Sequence, residues 1–255
     1  MKSPKRILVT GAAGSIGTTL CSAWKKNRNY TLTRCDIRQR DDERDPIEFA
    51  DIRDYARMKE LCLNQDTLVH LAYIPQSSLG KEQCDTSDIS ANITLFEAAR
   101  ECGIQRIIFA STNHVTGVNE RSFPAQLSTG DQFRPDSWYG AMKGMAEIAG
   151  RYLVDHSDMT FFSFRIGSFD GKNEAETMRT CSTLLTPRDC IQLFSRAIDY
   201  NGPERYLVTY GTSGNYSSHH MGYLDITGAI NVLGYCPEDN LLEKDGGRHL
   251  NQKHS

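Results

Sequence analysis

Long hydrophobic runs are missing from this 255-residue sequence: no segment reaches the roughly 18 uninterrupted apolar residues that a membrane-spanning helix needs. The apolar run at residues 7–9 is too short for the core of a signal peptide, and Gly11 soon follows it. Neither sign of charge dominates, because 29 Lys and Arg residues stand against 32 Asp and Glu residues, a formal net charge of -3. The sequence therefore gives no electrostatic reason to expect binding to nucleic acid or to an anionic membrane. We expect a cytoplasmic protein.

Closely spaced cysteine pairs are also missing. The eight cysteines are scattered along the chain and none forms a C-x-x-C pair, so the sequence predicts no zinc site and no other metal site. We expect reduced, buried thiols rather than a disulfide framework. Internal repeats and low-complexity tracts are absent as well, and the 39% of apolar residues is typical of a globular protein.

Strand-like and helix-like patterns alternate along the chain. Apolar or alternating runs predict strands at residues 7–10, 30–36, 47–51, 67–72, 107–110, 159–166 and 206–210. Helical periodicity predicts helices at residues 16–27, 55–64, 89–102, 138–155, 188–199 and 225–233, whereas the polar residues 169–180 predict a loop. Because near-continuous apolar strands alternate with helices, we expect an α/β fold with a doubly wound parallel sheet, the Rossmann fold.

A glycine-rich motif lies between the first strand and the first helix. It is Gly11-Ala12-Ala13-Gly14-Ser15-Ile16-Gly17, with the spacing G-x-x-G-x-x-G, a variant of the dinucleotide-binding fingerprint. Glycine permits the tight turn and a close approach of the backbone to a pyrophosphate, and the helix N-terminus supplies free amides and a favourable dipole. The position of the motif therefore predicts a dinucleotide site.

Asp36 lies 19 positions beyond Gly17, at the end of the second strand. A carboxylate there can accept hydrogen bonds from the adenosine ribose and would repel a 2′-phosphate, which favours NAD over NADP. Arg34 and Arg38 flank Asp36 and leave NADP as a minor alternative. The pair Asp51-Ile52 could hold the edge and the face of adenine, or Asp51 could simply cap the following helix.

Tyr139 and Lys143 are four positions apart in a predicted helix, so they share one helix face. An ammonium near a phenol favours the phenolate, so we expect Lys143 to lower the pKa of Tyr139 and make it a general base for a substrate hydroxyl. The spacing alone is also compatible with an ordinary amphipathic helix. The active-site interpretation is strengthened by Ser111-Thr112-Asn113-His114, which follows the strand at residues 107–110 where ligands of open α/β sheets bind. A capped turn is the alternative for those four residues.

Together these residues resemble the extended short-chain dehydrogenase/reductase superfamily, and within it the uronate dehydrogenases and their archaeal sugar-dehydrogenase relatives. The resemblance spans nearly the whole chain and is carried by residues 10–17, Asp36, His70-Leu71-Ala72, Asn92, residues 109–114, Arg134-Pro135-Asp136, residues 138–143, Arg165-Ile166-Gly167-Ser168 and several short segments between Ser182 and Pro237. It implies an NAD-binding domain at residues 1–166 and a small substrate-binding part at residues 167–255, from which residues 206–210 return to the sheet.

The resemblance also implies roles for single residues. Tyr139 is then the catalytic base, Lys143 binds the nicotinamide ribose and tunes Tyr139, and Thr112 hydrogen-bonds the reacting oxygen. With the arguments above, the expected cofactor contacts are Gly11, Ala13, Gly14, Ser15, Ile16, Gly17, Asp36, Asp51, Ile52, Leu71, Ala72, Tyr139, Lys143 and Ser168. The expected substrate contacts are Ser111, Thr112, Asn113, His114, Tyr139, Ser168 and Arg179, of which Arg179 would hold a carboxylate at C6.

The resemblance thus implies NAD-dependent oxidation of a hexuronate, such as glucuronate or galacturonate, at C1 to the aldonolactone. Three alternatives stay open: a dehydrogenase of another hexose that is free or carries a 6-phosphate or 6-sulfonate, a nucleotide-sugar epimerase or dehydratase, and a dinucleotide sensor without chemistry. The long helices at residues 89–102 and 138–155 are candidates for a homodimer interface, as in many relatives.

Two departures from the uronate enzymes concern the substrate. Thr112 stands where they usually have serine, which keeps the hydroxyl. Tyr73-Ile74-Pro75 replaces a small, glycine-rich segment that ends in a substrate-binding serine, and proline cannot supply that hydrogen bond. Gln76, Ser77 or Ser78 could compensate. The departure bears on the identity of the sugar more than on the reaction.

Overall fold

The computed structural model describes residues 3–38, 46–74, 86–122, 126–172, 174–175, 177–216 and 222–244. The strands are β1 (Lys5–Thr10), β2 (Tyr30–Asp36), β3 (Glu48–Phe49), β4 (Thr67–His70), β5 (Arg106–Thr112), β6 (Thr160–Ile166) and β7 (Tyr206–Gly211). The helices are α1 (Ser15–Trp24), α2 (Tyr55–Cys62), α3 (Ser87–Glu101), α4 (Trp138–Asp155), α5 (Met178–Thr183), α6 (Pro187–Asp199), α7 (Thr227–Leu233) and α8 (Leu241–Lys244).

The seven strands form one sheet in the order β3-β2-β1-β4-β5-β6-β7, and all neighbouring strands are parallel. The predicted doubly wound parallel sheet is therefore confirmed. The chain moves outward from β1 to β3 and then crosses to β4, so the connections after β1 and β4 leave in opposite directions and open a crevice between them. Thr10 of β1 pairs with His70 of β4 in the sheet register, so both loops that line this crevice begin at the same height.

Helices cover both faces of the sheet, which explains why the central strands contain uninterrupted apolar runs. In β5, Ile108 and Ala110 pack into one core with α1, α6 and α7, whereas Ile107 and Phe109 pack into the other with α2, α3 and α4. Successive side chains of a strand point to opposite faces, so a strand buried on both sides has no polar alternation. The same burial fixes the positions of the loops at the carboxyl ends of these strands.

The structure corrects the predicted loop at residues 169–180, because α5 begins at Met178. Thr177 and Thr180 form a reciprocal capping box that starts this helix: the Thr177 hydroxyl accepts from the Thr180 amide, and the Thr180 hydroxyl accepts from the Thr177 amide. Two short 3₁₀ helices, Asn113–Thr116 and Asn119–Ser122, and the C-terminal helix α8 also lacked a predicted counterpart.

The strand predicted at residues 206–210 corresponds to β7, which lies at the edge of the sheet beside β6. The division of the chain at residues 166 and 167 stays a prediction. The seven cysteines in the described ranges are free thiols, and Cys84 lies outside those ranges. Within the same ranges, no helix is long and apolar enough to cross a membrane. The cytoplasmic location stays a prediction.

Candidate active site

The glycine motif forms the turn between β1 and α1. Gly11 has φ +70°, and a Cβ atom there would lie 2.6 Å from the backbone nitrogen of Ala72, so only glycine fits without strain. A Cβ on Gly17 would lie 2.3 Å from the carbonyl oxygen of Gly11, which explains the close packing of α1 on the turn. The helix begins at Ser15 with Gly14 as its cap, and its first amides lack helical carbonyl partners. This end of α1 suits a phosphate group.

A cavity of about 520 Å³ extends from this turn along the carboxyl ends of β1 and β2. Its lining includes the predicted cofactor contacts Gly11, Gly14, Asp36, Asp51, Ile52, Leu71 and Ala72. Ala13 is not among the residues that line it, and its backbone N–H donates to Asp36 Oδ2 at 2.9 Å. Residues far apart in the sequence thus form one continuous surface that is large enough for a nucleotide.

Asp36 is nearly buried at the end of β2 and its carboxylate is held from two sides. Besides Ala13, the backbone N–H of Arg38 donates to Oδ1 at 2.9 Å, and the Arg38 Nε lies 3.3 Å from the same oxygen. The carboxylate is therefore fixed at the cavity wall before any ligand binds. Arg38 forms an ion pair with this carboxylate, so its positive charge partly balances the negative charge of Asp36 at the position that would meet a ribose.

Asp51 pairs with Arg53, whose Nε lies 3.0 Å from each carboxylate oxygen, and this arginine lowers the pKa of Asp51. Asp51 does not cap α2. That cap is Asp54, whose side chain accepts from the Arg57 amide at 3.0 Å. The capping alternative for Asp51 is therefore wrong, and its place on the cavity wall beside Ile52 fits the predicted adenine end of the site.

A second cavity of about 400 Å³ adjoins the first and contains the catalytic candidates. Its lining includes Ser15, Ile16, Gly17, Ser111, Thr112, His114, Tyr139 and Lys143. The two cavities share Gly11, Gly14, Leu71 and Tyr73, so they form one cleft along the carboxyl edge of the sheet. Tyr139 therefore lines the same cleft as the glycine turn, where a base for the substrate would have to lie.

Tyr139 and Lys143 occupy the first two turns of α4. Ser137 caps this helix by accepting from the Gly140 amide at 3.2 Å. A Cβ on Gly140 would lie 2.3 Å from the carbonyl oxygen of His114, so this glycine lets the start of α4 approach the end of β5. The Tyr139 phenol thereby lies near Thr112, whose side chain favours the phenolate, and the Lys143 Nζ lies 5.9 Å from the centroid of the Tyr139 ring.

The protonation behaviour of this pair differs from the expectation. Burial raises the pKa of Tyr139 to about 12, with smaller contributions in the same direction from Tyr73 and Asp88, while the hydrogen bond from Thr112 opposes the rise. Burial lowers the pKa of Lys143 to about 8. The expected lowering of the Tyr139 pKa is therefore not found in the chain by itself, because loss of solvation on burial dominates at this position.

His114 lines the cleft and lies against Asp136, whose two carboxylate oxygens are both within hydrogen-bond distance of Nδ1, at 2.9 Å. The ring centroids of His114 and Tyr139 are 6.1 Å apart. A Cβ on Gly117 would lie 2.2 Å from Asp136 Oδ2, so this glycine leaves room for the carboxylate. Asp136 had no predicted role. The feature that could have pointed to it is its position in the segment Arg134-Pro135-Asp136, just before α4.

Besides Ala13, three predicted contacts are not among the residues that line the cleft. Asn113 is fully buried and its Nδ2 donates to Glu120 Oε1 at 2.6 Å. Arg179 donates to Glu120 Oε2 from Nε at 3.2 Å and from Nη2 at 3.0 Å. The Ser168 hydroxyl is hydrogen-bonded to the Thr183 hydroxyl at 2.8 Å. The structure thus places Asn113 and Arg179 on one buried carboxylate, and their contacts with substrate stay predictions.

Behind the cleft, buried polar groups form a chain from β1 to α3. The Thr10 hydroxyl lies 2.6 Å from His70 Nδ1, and His70 Nε2 lies 2.6 Å from Asn92 Oδ1. An amide oxygen can only accept, so Nε2 carries the proton and Nδ1 accepts from Thr10. Asn92 in turn donates to Asp88 Oδ2 at 3.1 Å. Burial lowers the pKa of His70 to about 3, so the ring is neutral at physiological pH.

Comparison with known proteins gives the wider context. A family model described as the NAD dependent epimerase/dehydratase family matches residues 7–190, a span that contains the glycine turn, Asp36, Tyr139 and Lys143. The chain belongs to this family. The predicted membership of this NAD-dependent enzyme family, and with it NAD as cofactor, is confirmed.

This family member is similar to several sugar dehydrogenases. It is 30% identical to the L-arabinose 1-dehydrogenase (NAD(P)(+)) of Haloferax volcanii, over 92% of this chain and 97% of that protein. It is 29% identical to the uronate dehydrogenase of Pseudomonas putida, over 92% of this chain and 84% of that protein. The crystal structure of uronate dehydrogenase from Agrobacterium tumefaciens is similar with a TM-score of 0.80 and 26% identity, over 100% of this chain and 91% of that chain.

The described part of this family member contains no cluster of three or more His, Cys, Asp and Glu side chains that could hold a metal ion. Helix α4 exposes Met145, Ile148 and Tyr152 along its outer face, and Ile93 of α3 is also exposed. These residues lie on the two helices proposed for a homodimer interface, and the homodimer stays a prediction. Pro75, Gln76, Ser77 and Ser78 lie outside the described residues.

Proposed function

We propose that this protein oxidises the C1 hydroxyl of a hexuronate, such as glucuronate or galacturonate, to the aldonolactone, with hydride transfer to NAD and Tyr139 as the base. The observation that carries the proposal is the meeting of Tyr139, Lys143 and Thr112 on the wall of a cleft that continues to the glycine turn. The similarity to uronate dehydrogenases supports an NAD-dependent sugar dehydrogenase, which acts on a CH–OH group.

The residues of the cleft fit NAD. A side chain at Gly11 or Gly17 would collide with backbone atoms, which keeps the turn free for a close approach by phosphates. Asp36 offers a fixed carboxylate to a ribose, and Asp51 and Ile52 border the outer end of the cavity. Lys143 lies at the inner end, where its ammonium can donate to ribose hydroxyls. When bound, NAD supplies the hydride acceptor.

In this proposal Tyr139 accepts the proton of the C1 hydroxyl, and Thr112 orients the same oxygen through its hydroxyl. With a pKa of about 12, Tyr139 is a neutral phenol at physiological pH in the chain alone. The phenolate is favoured by the Thr112 side chain. Lys143 is buried and Tyr139 is partly buried, which makes polar interactions in this half of the cleft stronger than they would be in solvent.

A second candidate, an aldose without an anionic group at C6, is favoured by one observation. Arg179, the residue expected to hold a C6 carboxylate, already donates two hydrogen bonds to Glu120. Its positive charge is balanced within the protein, so a substrate carboxylate would gain less from it. The similarity to an L-arabinose dehydrogenase, whose named sugar carries no carboxylate, agrees with this candidate.

The test is a screen for NADH release with glucuronate, galacturonate, glucose, glucose 6-phosphate, sulfoquinovose and L-arabinose. We expect turnover of at least one sugar by the wild type and a loss of about 100-fold or more in kcat with Tyr139→Phe, because a positioned base contributes about that factor. Tyr152→Phe, on the outer face of the same helix, is the matched control and should leave kcat unchanged.

Turnover by Tyr139→Phe at the wild-type rate would exclude Tyr139 as the base. Interconversion of nucleotide sugars without net NADH release would instead favour an epimerase. The ratio of kcat/KM for glucuronate to that for L-arabinose decides between the two candidate substrates.

A further inference from the structure

Tyr73 lies at the junction of the two halves of the cleft. Its ring centroid is 5.5 Å from that of Tyr139, with the two planes inclined at 61°. The Nζ of Lys143 lies 5.9 Å from the centroid of the same ring. Tyr73 lines both cavities and is 50% exposed, so a large aromatic surface faces the space beside the proposed base.

The backbone beside Tyr73 is anchored to a buried carboxylate. The N–H of Ile74 donates to Asp88 Oδ1 at 2.8 Å, and Asp88 Oδ2 accepts from the Asn92 side chain at 3.1 Å. Asp88 is 2% exposed on α3, so its position is set by the packing of that helix. The hydrogen bond from Ile74 to Asp88 therefore fixes the backbone that carries Tyr73 at the mouth of the cleft.

The catalytic half of the cleft is lined by polar side chains and by the apolar side chains of Ile16, Leu71, Ile166 and Phe169. Thr112, His114 and Tyr139 present hydroxyl and imidazole groups, which recognise the hydroxyls of a sugar but not its C–H face. A monosaccharide ring also has an apolar face of C–H groups, and an aromatic ring is the side chain that buries such a face best. Among the described residues that line this half, Tyr73 is the half-exposed aromatic ring in direct contact with Tyr139.

We propose that Tyr73 is the sugar-recognition residue of this cleft, and that its ring forms the apolar wall against which the C–H face of a free monosaccharide packs. The proposal deepens the proposed function and rests on it. Tyr73 also bears on the reaction, because the phenol favours the neutral form of Tyr139. A sugar that packs on Tyr73 lies within reach of Tyr139, because the two rings are in contact.

The experiment compares Tyr73→Ala and Tyr73→Phe with the wild type at saturating NAD, with Tyr216→Ala as the control for loss of an exposed tyrosine outside the cleft. We expect Tyr73→Ala to raise the KM for the sugar about tenfold, since the substitution removes the aromatic surface against which the C–H face packs. Tyr73→Phe keeps the wall and should change KM less than about twofold. The NAD dissociation constant, measured by quenching of intrinsic fluorescence, should change less than the sugar KM in the two Tyr73 variants and stay unchanged in Tyr216→Ala.

Three results would overturn the proposal: an unchanged sugar KM in Tyr73→Ala, an equal rise in Tyr73→Phe, or a weakened affinity for NAD in place of the sugar effect. Failure of the proposed function is distinguished by ligand-observed NMR of the sugars with the protein and NADH. If sugars bind the wild type without turnover, the proposed reaction is wrong, and Tyr73 is judged by whether Tyr73→Ala weakens that binding. If no sugar of the screen binds, the proposed role of Tyr73 is wrong too.

Discussion

His114 Nδ1 lies 2.9 Å from both carboxylate oxygens of Asp136, at the wall of the cleft that contains Tyr139. A carboxylate accepts a hydrogen bond from Nδ1 and so leaves Nε2 as the acceptor of the neutral ring. Gly117 makes this arrangement possible, because any side chain there would overlap the carboxylate. The pair therefore presents a ring of defined tautomer and orientation to the substrate half of the cleft.

Asp136→Asn should weaken recognition of the sugar by His114. An amide can either accept from or donate to Nδ1, so the preference for one tautomer is lost, and we expect kcat/KM for the sugar to fall about tenfold, close to the effect of a lost supporting hydrogen bond. Steady-state kinetics with varied sugar at saturating NAD measure the effect. Asp155→Asn removes a charge from an exposed pair at the other end of α4 and serves as the control. Equal kinetics for Asp136→Asn and the wild type would show that His114 needs no partner.

The Glu120–Arg179 pair should control the preference for anionic sugars. Glu120 is 7% exposed, and Glu120→Gln removes the charge that balances Arg179. We expect the ratio of kcat/KM for glucuronate to that for L-arabinose to rise about tenfold, because Arg179 can then pair with a substrate carboxylate. Arg179→Ala should lower the same ratio by raising the KM for glucuronate. Glu60→Gln, in an exposed pair with Arg57, is the control. A ratio that neither variant changes would remove Arg179 from substrate recognition.

Elements governed by local signals could be predicted from the sequence. The bounds predicted for α4, residues 138–155, agree with the structure, because an apolar stripe and the serine cap at Ser137 are both local. The glycine turn was equally accessible, since the G-x-x-G-x-x-G spacing between a strand and a helix is a local signal, although the contact that requires glycine at position 11 is with the distant Ala72. The strand β5 could be predicted because burial on both faces makes residues 107–110 uniformly apolar.

Features that depend on distant partners could not be predicted. Arg179 resembles a substrate-binding arginine in sequence, but its partner Glu120 is 59 positions away and nothing local links the two. Asn113 was expected in the cleft because it follows β5, whereas the 3₁₀ turn Asn113–Thr116 directs its side chain to Glu120. The raised pKa of Tyr139 likewise results from tertiary burial, which spacing along one helix cannot reveal.

Asp36 should determine the choice between NAD and NADP. Asp36→Ser removes the carboxylate that would repel a 2′-phosphate and releases Arg38 from its ion pair. We expect the ratio of kcat/KM for NADP to that for NAD to rise at least about tenfold, roughly the effect of 1.4 kcal/mol. Coenzyme kinetics at a fixed sugar concentration test this. Asp66→Ser, in an ion pair with Arg6 outside the cleft, is the control. If the wild type already prefers NADP, the role assigned to Asp36 is wrong.

The buried amine of Lys143 should lower the free energy of unfolding at neutral pH. Burial holds its pKa at about 8 against an ordinary value of 10.5, which corresponds to about 3 kcal/mol at 1.36 kcal/mol per pH unit. The cost is fully present below pH 8 and decreases as the pH rises toward 10.5, because in this window the unfolded chain holds a proton that the folded chain does not. Lys143→Met, of similar length but uncharged, should therefore be more stable in urea at pH 7, by about 1–3 kcal/mol, and inactive.

The difference in stability between Lys143→Met and the wild type should narrow when the urea titrations are repeated from pH 8 to pH 10. Lys59→Met removes an exposed lysine that pairs with Glu101 and controls for the general effect of losing a positive charge. A gap that stays constant with pH would mean that the buried amine does not titrate as its surroundings imply.

His70 should make the fold sensitive to acid. Its ring is buried and neutral between Thr10 and Asn92, and burial lowers its pKa to about 3. Below pH 6.5 the unfolded chain takes up a proton at this residue while the folded chain does not, so stability falls with pH. The expected decrease in the free energy of unfolding between pH 7 and pH 5 is about 2 kcal/mol, at 1.36 kcal/mol per pH unit below the unfolded pKa.

His70→Gln should be less stable at pH 7, but its free energy of unfolding should fall by about 2 kcal/mol less than that of the wild type on acidification. His156→Gln, an exposed histidine at the end of α4, should keep the wild-type slope, and an equal slope in His70→Gln would show that the acid sensitivity originates elsewhere.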